Sequence, residues 1–215
     1  MPEINVKGKY MLQPKDEKLL INGNVYITEK MDGANSGIHK KNGKTHLQKK
    51  GSNIDGSHLQ YKYFELWGYE NFEKIKSLPD NMVYYGELMF CTHTIFYDKL
   101  PDWFLIFAIY DLKKNKFLKW EKVTEIANQY GFYTVPFLYE GKTDKNHLMS
   151  LIKKESLYGD TSEGIVIQNI RQQIRGKIVK PEFFKKIDDE ECHWSHIHIK
   201  FNKLVGNQPF KYNIG

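Results

Sequence analysis

The chain has 215 residues, 40% of them hydrophobic, so it is long enough to fold around a substantial core. Its formal net charge of +6 at pH 7 favours an anionic partner such as nucleic acid or a nucleotide, because a basic surface attracts polyanions. The two cysteines, Cys91 and Cys192, form no C-x-x-C pair, and no apolar run is as long as a membrane span. These features predict a globular protein of cytoplasmic localisation with no membrane partner.

The first half of the chain is predicted to consist mainly of β-strands. Apolar or β-branched runs bounded by turn residues predict strands over 24–30, 34–40, 44–50, 82–90 and 103–111. The dipeptide Asn42-Gly43 gives the strongest hairpin signal, because both residues accept the positive φ angles of a tight turn. The segment 59–78 carries aromatic residues at helical spacing, which predicts an amphipathic helix that packs against the sheet.

The second half adds two clearer helices. Segment 120–130 has apolar residues at helical spacing and ends before Gly131, a favourable residue after a helix. Segment 143–154 has the same pattern. Further strands are predicted over 134–139, 162–168 and 177–180. Pro181 is expected to open a short helix that extends through Ile187.

The stretch from Thr28 to Ile38 reads as a strand, a bend and a second strand. Lys30 ends the first strand, and Asp32-Gly33 forms the bend, so a flexible amine is mounted against a backbone that a ligand can approach closely. This arrangement suits a lysine that attacks a phosphate ester. The alternative is a surface hairpin with a solvated lysine, since a lone K-x-D-G occurs in roughly one in ten chains so rich in lysine. Asp32 and Asn35 could likewise only stabilise the bend.

Two carboxylates and an aromatic strand add to this pattern. Glu87 lies inside an apolar run and Glu163 lies at the mouth of another, where a charge needs a function or a partner. Either residue could form a structural ion pair with a core lysine. Phe104 and Phe107 are three residues apart on a predicted strand, so they face opposite sides and one of them is expected to be plain core. We favour Phe107 as the ligand-facing ring.

In this order, the motifs resemble those of the covalent nucleotidyltransferase superfamily of ATP-dependent ligases and capping enzymes. The matching segments are Glu29-Lys30-Met31-Asp32-Gly33, Tyr85-Gly86-Glu87, Phe104 to Phe107, Glu163-Gly164-Ile165-Val166 and Lys177 to Lys180. Within the superfamily the chain resembles ATP-dependent RNA ligases of the double-strand, nick-sealing type over about residues 24–200. Asn35, His93 and Cys192-His193-Trp194-Ser195 carry that likeness.

The resemblance implies an α+β fold, namely a nucleotidyltransferase (ATP-grasp-like ligase adenylation) domain of antiparallel sheets flanked by helices. It implies ATP and Mg²⁺ (or Mn²⁺) as cofactors, Lys30 as the catalytic nucleophile that forms lysyl-AMP, and Glu163 as the metal ligand. Nucleotide-binding roles are implied for Glu29, Asp32, Gly33, Asn35, Lys50, Glu87, Phe107, Lys177 and Lys180. In these roles Glu87 would hold the ribose hydroxyls, Phe107 would stack on adenine, and the two late lysines would grip phosphate.

The sequence departs from the family pattern in three places. Ala108 stands where an aspartate is common, Lys50 stands where arginine is usual, and the two final lysines are three residues apart. The first two departures concern the adenine and α-phosphate contacts. The third leaves Lys180 as the more readily placed of the two lysines.

The activity implied by the resemblance is ATP-dependent ligation of RNA 5′-phosphate and 3′-hydroxyl ends. RNA, as a nicked duplex or as free ends, is the expected partner, and its grip would come from the domain's own basic face or from a helper RNA-binding protein. No domain boundary is evident, so we expect one domain over residues 1–215 with a short tail from about residue 188. About thirty residues follow the last motif, so no appended oligonucleotide-binding barrel is expected. There are two alternatives: a small DNA nick ligase, and a non-catalytic nucleic-acid-binding module that retains the fold.

A cluster of histidines near the C-terminus invites a zinc interpretation. Cys192-His193 is followed by His196 and His198, which would share one face of a strand. Tetrahedral zinc sites usually have paired ligands at cleaner spacing, so a polar strand near the RNA or the hairpin is the favoured alternative.

Overall fold

The computed structural model describes residues 14–50, 52–54, 58–152, 155–183 and 200–206. Within these ranges, the helices are α1 (Pro14–Leu20), α2 (Leu59–Glu70), α3 (Phe72–Ser77), α4 (Trp120–Gln129) and α5 (Lys145–Ile152). The strands are β1 (Val25–Lys30), β2 (Ala34–Lys41), β3 (Lys44–Lys49), β4 (Ser52–Asn53), β5 (Met82–Leu88), β6 (Phe104–Asp111), β7 (Lys116–Phe117), β8 (Tyr133–Thr134), β9 (Phe137–Gly141), β10 (Gly164–Asn169) and β11 (Ile174–Val179).

These strands form two sheets. The smaller sheet has four strands in the order β11-β10-β1-β9, and all of its pairs are antiparallel. The larger sheet has seven strands, in the order β4-β3-β2-β5-β6-β7, with β8 paired to β6. The β6–β8 pair is parallel, which is the one departure from the antiparallel pairing expected from the sequence for the described strands. The α+β prediction is confirmed.

Each sheet has its own hydrophobic core. On the outer face of the smaller sheet, Ile27 and Ile165 pack with Leu20 of α1 and Leu151 of α5. The opposite face of this sheet contributes Tyr26 to a larger core that lies against the seven-stranded sheet. Because side chains alternate along a strand, β1 therefore sends Val25, Ile27 and Glu29 outward and Tyr26, Thr28 and Lys30 toward the other sheet.

The larger core is strongly aromatic. Trp67 of α2 lies 5.5 Å from Phe64 and 5.4 Å from Phe104 of β6, measured between ring centroids. Val123 and Ile126 of α4 are buried in the same core, as their helical spacing predicts. This packing fixes β5 and β6, the central strands of the larger sheet, beneath the helices.

Some element boundaries differ from the sequence predictions. The predicted helix over 59–78 breaks at Asn71, whose backbone N–H and side-chain amide both bond the carbonyl of Trp67, and it continues as α3. Helix α1 has no counterpart among the predictions, because a seven-residue helix with one fully buried apolar residue leaves little periodic signal. Strand β11 begins at Ile174, three residues before the predicted start.

The last described segment, 200–206, joins the loop that follows β5. Isolated bridges pair Cys91 with Phe201 and Leu100 with Leu204. Residues 181–183 form one helical turn, whereas the rest of the predicted helix through Ile187 and the cluster Cys192, His193, His196 and His198 lie outside the described residues. In the described ranges, no helix is both long and apolar enough to cross a membrane.

Candidate active site

A cavity of about 970 Å³ is lined by residues of both sheets. Eight of the site residues predicted from the sequence line it: Glu29, Lys30, Gly33, Asn35, Lys50, Glu87, Phe107 and Lys177. Its wall also includes residues of the two helices on the outer face of the smaller sheet, such as Leu20 of α1 and Leu148 of α5. Most of the predicted site is thus brought into one place.

Lys30 and Glu163 form an ion pair at this cavity. Lys30 lies opposite Gly164 in the β1–β10 pair, so the residue before Gly164 is within reach of the lysine side chain. The Nζ atom of Lys30 donates a hydrogen bond to Oε2 of Glu163, and the two side chains are 20% and 8% exposed. Burial raises the pKa of Glu163, and the charge of Lys30 opposes that rise. The structural ion pair considered for Glu163 therefore exists, and its partner is the predicted nucleophile.

Two glycines let the backbone come close around this pair. A Cβ atom on Gly164 would overlap the carbonyl oxygen of Ile178 on the neighbouring strand. A Cβ atom on Gly33 would overlap the carbonyl oxygen of Leu88. Any side chain at either position would push these strands apart, which explains why glycine follows both functional motifs.

Asp32 holds the loop after β5 against the bend that follows β1. Its Oδ2 atom accepts hydrogen bonds from the backbone N–H groups of Thr94 (2.7 Å) and Ile95 (2.8 Å). Its own N–H donates to the hydroxyl of Tyr97 at 3.1 Å. Asp32 does not line the cavity, and its carboxylate is engaged in fixing this loop, so its predicted nucleotide contact stays a prediction.

Glu87 places a second carboxyl group in the cavity. It is the second-last residue of β5 and lies directly opposite Asn35 of β2. Burial raises the pKa of Glu87 to about 7, although the charges of Lys30 and Arg175 act in the opposite direction. Near neutral pH, this group is therefore close to the midpoint of its titration.

Phe107 presents its ring to the cavity, whereas Phe104 does not. The guanidinium carbon of Arg175 lies 4.4 Å from the centroid of the Phe107 ring, and Tyr85 lies nearly parallel to that ring at 6.5 Å. Phe104 is fully buried against Phe64 and Trp67. The two rings thus face different surroundings, as their spacing on the strand predicts.

The late basic residues occupy different sides of β11. Lys177 lines the cavity, and its charge lowers the pKa of Glu163. Lys180 does not line the cavity, and its Nζ atom lies 3.4 Å from Oγ1 of Thr161. Arg175, which the sequence analysis missed, is two residues before Lys177 and therefore shares its strand face. The two cations that β11 contributes to the cavity wall are Arg175 and Lys177, and their spacing of two on a strand is the signal that could have found them.

Glu29 lies on the other side of β1 from Lys30. Its Oε2 atom accepts a hydrogen bond from the N–H of Leu157 at 3.4 Å, whereas Oε1 is buried with no hydrogen-bond partner among the described residues. Burial raises the pKa of Glu29 to about 7. Its side chain belongs to the outer face of the sheet, so a contact with a ligand held by Lys30 would have to come from its backbone.

The donor atoms at the cavity suit a metal ion that also binds phosphate. In the part of the chain that the structure describes, no cluster of three or more histidine, cysteine or acidic residues could hold a metal by itself. The Glu163 carboxylate, which contacts Lys30 through Oε2, nevertheless lies within the electrostatic reach of Lys177 and Asp32. Mg²⁺ is commonly held by one or two carboxylates together with substrate phosphates, so this donor set fits it.

Comparison with known proteins gives a family and a fold. Three solved structures of Naegleria gruberi RNA ligase resemble this chain: one with PPi (TM-score 0.67, 17% identity), one mutant with ATP and Mn (0.65, 18%) and one mutant with AMP and Mn (0.63, 16%). They match 88%, 82% and 82% of this chain but only 60%, 55% and 55% of their own chains, respectively. No curated protein matches the sequence. The RNA ligase family model matches residues 23–185, well over half of the chain, and the chain therefore belongs to the RNA ligase family.

Proposed function

We propose that this chain is the nucleotidyltransferase domain of an ATP-dependent RNA ligase of the double-strand, nick-sealing type. The observation that carries the proposal is the contact of Glu163 with Lys30, which lines the same cavity as Glu87, Phe107 and Lys177. Structures of the Naegleria gruberi ligase with ATP and Mn, with AMP and Mn, and with PPi support a nucleotide cycle of the same kind here.

ATP would lie across the cavity from one sheet to the other. Phe107 would stack on adenine, which would either displace the Arg175 guanidinium from the ring or share the ring with it. Glu87 would accept hydrogen bonds from the ribose hydroxyls. Arg175 and Lys177 project from the same face of β11, so they would hold the phosphates along that edge. In this order, the α-phosphate would lie beside Lys30.

The first chemical step is the transfer of AMP to Lys30. The Lys30 ammonium would lose a proton to the Glu163 carboxylate that it contacts. The lone pair of the resulting amine would then attack the α-phosphorus. The new bond joins Nζ to phosphorus, and the bond from that phosphorus to the oxygen bridging to the β-phosphate breaks. Pyrophosphate leaves with the electron pair of the broken bond.

Glu163 would also provide a carboxylate for Mg²⁺ or Mn²⁺, together with the phosphate oxygens of ATP. When bound, the metal supplies positive charge that neutralises the phosphate oxygens. The residues of this chain orient the reactants: Lys177 counters phosphate charge, and the Asp32 contacts hold the loop that borders Lys30.

The strand-joining steps use the lysyl-AMP. The 5′-phosphate of one RNA strand attacks the AMP phosphorus and releases the Lys30 amine, giving an RNA capped by a 5′–5′ pyrophosphate linkage. The 3′-hydroxyl of the other strand then attacks the RNA 5′-phosphorus, a phosphodiester forms, and AMP leaves. Both steps again require neutralised phosphate oxygens and aligned reactants.

The proposal is tested by intact mass after incubation with ATP and Mn²⁺. We expect one covalent AMP on the unmodified protein and none on Lys30→Ala, with an adduct that is labile in acid and stable in alkali, as a phosphoramidate is. A native protein that gains no AMP would overturn the proposal. An adduct that persists in Lys30→Ala would show that another residue is the nucleophile.

The nature of the joined strand is tested separately with nicked duplexes. A nick with RNA on the 3′-hydroxyl side should be sealed faster than the same nick with DNA there. Preferential sealing of the DNA nick would favour the small DNA ligase considered from the sequence. Binding of RNA without AMP transfer or sealing would favour a non-catalytic module.

A further inference from the structure

A basic and aromatic surface lies beside the loop that Asp32 anchors, and none of its side chains takes part in the proposed AMP transfer. The Nζ atom of Lys200 is 4.4 Å from the ring centroid of Phe96, and that of Lys203 is 6.0 Å from it. Both lysines are exposed, and so is Lys99 in the same loop as Phe96. We call these four residues the Phe96 surface.

The Phe96 surface has a rigid foundation. Between its two late lysines lies Asn202, which is 2% exposed and whose side chain makes four hydrogen bonds with the segment 89–97. The backbone adds further bonds, from the N–H of Lys203 to the carbonyl of Tyr97 and from the N–H of Thr92 to the carbonyl of Lys200, both 2.8 Å. Two segments that are distant in sequence are thereby locked together, and their positive charges have fixed positions.

This surface is also tied to the residue expected to carry AMP. The Asp32 carboxylate, two residues after Lys30, binds the backbone N–H groups of Thr94 and Ile95, and Phe96 is the next residue. With about 3.8 Å between consecutive Cα atoms, this connection keeps the backbone of Phe96 within about 19 Å of that of Lys30. That distance corresponds to only a few nucleotides of RNA.

The local chemistry favours a polyanion that carries bases. Exposed lysines neutralise phosphates, and an aromatic ring among them both orients ammonium groups and offers a face to a base. Asp98 is an acidic residue of the same loop, but its Oδ1 atom is buried and has no hydrogen-bond partner among the described residues, so that oxygen is not presented to solvent. The outward charges contributed by the Phe96 surface itself are positive.

We propose that the Phe96 surface binds the backbone of the RNA strand next to the joint, with Lys200 and Lys203 on its phosphates. The inference rests on the proposed function, because it assigns that activity a place on the molecule where its RNA is held. Lys30 chemistry with ATP alone does not need this surface. Transfer of AMP to RNA and sealing do need it.

The test uses the full chain with Lys200 and Lys203 both replaced by alanine. Formation of lysyl-AMP from ATP and Mn²⁺ should match the native protein, whereas sealing of a nicked RNA duplex at subsaturating RNA should fall about 10-fold or more because phosphate contacts are lost. The dependence of log Kd for RNA on log salt concentration should become shallower by about 0.9 for each phosphate contact removed. A native protein that forms no lysyl-AMP would instead refute the underlying function.

A matched control removes the same charge elsewhere. Lys113 and Lys114 are exposed in the turn between β6 and β7, and replacing both by alanine should leave sealing and the salt dependence near native values. The double arginine variant K200R/K203R should retain most of the sealing, since charge is kept. Equal losses from the two alanine pairs, or native sealing by K200A/K203A, would overturn the proposal. Loss of lysyl-AMP formation in K200A/K203A would also overturn it, because the surface would then support the AMP site itself.

Discussion

Glu87 is a carboxyl group whose charge changes in the range where enzymes work. Burial raises its pKa to about 7, so it is mostly protonated below that pH and mostly ionised above it. An ionised carboxylate accepts hydrogen bonds at both oxygens, whereas a protonated one keeps a donor hydrogen that competes for them. Its proposed contact with two ribose hydroxyls therefore strengthens as pH rises through about 7.

We predict that ATP affinity, measured by calorimetry with Lys30→Ala protein to prevent reaction, increases with pH, and that this inflection lies above 7 because loss of the Lys30 charge raises the pKa of Glu87 further. Adding Glu87→Gln should weaken binding and remove this inflection. Glu29→Gln is the matched control, because burial also raises the pKa of Glu29 to about 7 but its side chain lies on the outer face of the sheet. If the inflection disappears with Glu29→Gln and survives Glu87→Gln, the pH dependence comes from Glu29 and the prediction for Glu87 is wrong.

The two phenylalanines of β6 allow a comparison between a core ring and a cavity ring. We predict that Phe104→Ala lowers the free energy of unfolding by about 3–5 kcal/mol, because the ring is fully buried among aromatic residues. Phe107→Ala should cost less stability and should weaken ATP binding about 10-fold, the lower end of what loss of a stacked ring costs. Chemical denaturation and calorimetry on both variants give the two quantities. Unchanged ATP affinity in Phe107→Ala would remove the stacking role.

At the scale of elements, the alternation of β11 decides which cations reach the cavity. Arg175 and Lys177 pair with Gln168 and Val166 of β10, on the face that looks toward the larger sheet. Lys180 follows the strand and contacts Thr161 instead. Motif order predicts that Lys177 and Lys180 act together, whereas the start of β11 at Ile174 has no signal in the sequence.

Helix α3 depends on a lysine from a distant strand. Lys40 of β2 is 6% exposed, and its ammonium group donates hydrogen bonds to the carbonyls of Ile75, Lys76 and Leu78 at the C-terminal end of that helix. Cations at this end of a helix satisfy carbonyls that have no partner within the helix. Burial lowers the pKa of Lys40 and the charge of Asp80 opposes that shift, so the carbonyl contacts and Asp80 together stabilise the charge there.

We predict that Lys40→Met lowers the free energy of unfolding by about 1–3 kcal/mol, the usual cost of leaving buried polar groups unpaired. Lys41→Met is the control, since Lys41 is the next residue of the same strand but is exposed, and its replacement should change stability by less than about 0.5 kcal/mol. Urea denaturation of both variants measures the difference. Equal effects would mean that the carbonyl contacts of Lys40 contribute nothing to stability.

For the whole molecule, local sequence patterns predicted more of the fold than of its internal connections. The Asn42-Gly43 hairpin, the buried strands β5 and β6, and helix α4 follow from turn residues and apolar spacing that are local in the sequence. The use of Asp32 as an anchor for the loop at Thr94 and Ile95 does not, because it depends on how two distant segments meet. Motif order singled out Lys30 and Glu163 as site residues, but the contact between them depends on the register of β1 and β10, which the sequence does not show.

Among the described residues, side chains of the smaller sheet form hydrogen bonds to β6 of the larger sheet and to α4, and nucleotide would add to these links. Gln168 of the smaller sheet donates to the carbonyl of Phe107 at 3.2 Å, and the Tyr26 hydroxyl donates to Glu121 of α4 at 3.0 Å. ATP held by Lys177 on one sheet and Phe107 on the other would bridge both.

We therefore predict one cooperative unfolding transition that ATP with Mn²⁺ shifts upward in Lys30→Ala protein. At ATP concentrations about 100-fold above Kd, the stabilisation should be about 2.7 kcal/mol, because binding to the folded state alone sets its size. Differential scanning calorimetry measures it, with Mn²⁺ alone as the control. Adding Phe107→Ala should require more ATP for the same shift, since one side of the bridge is lost. Two separate transitions, only one of them sensitive to ATP, would mean that the nucleotide is bound by a single sheet.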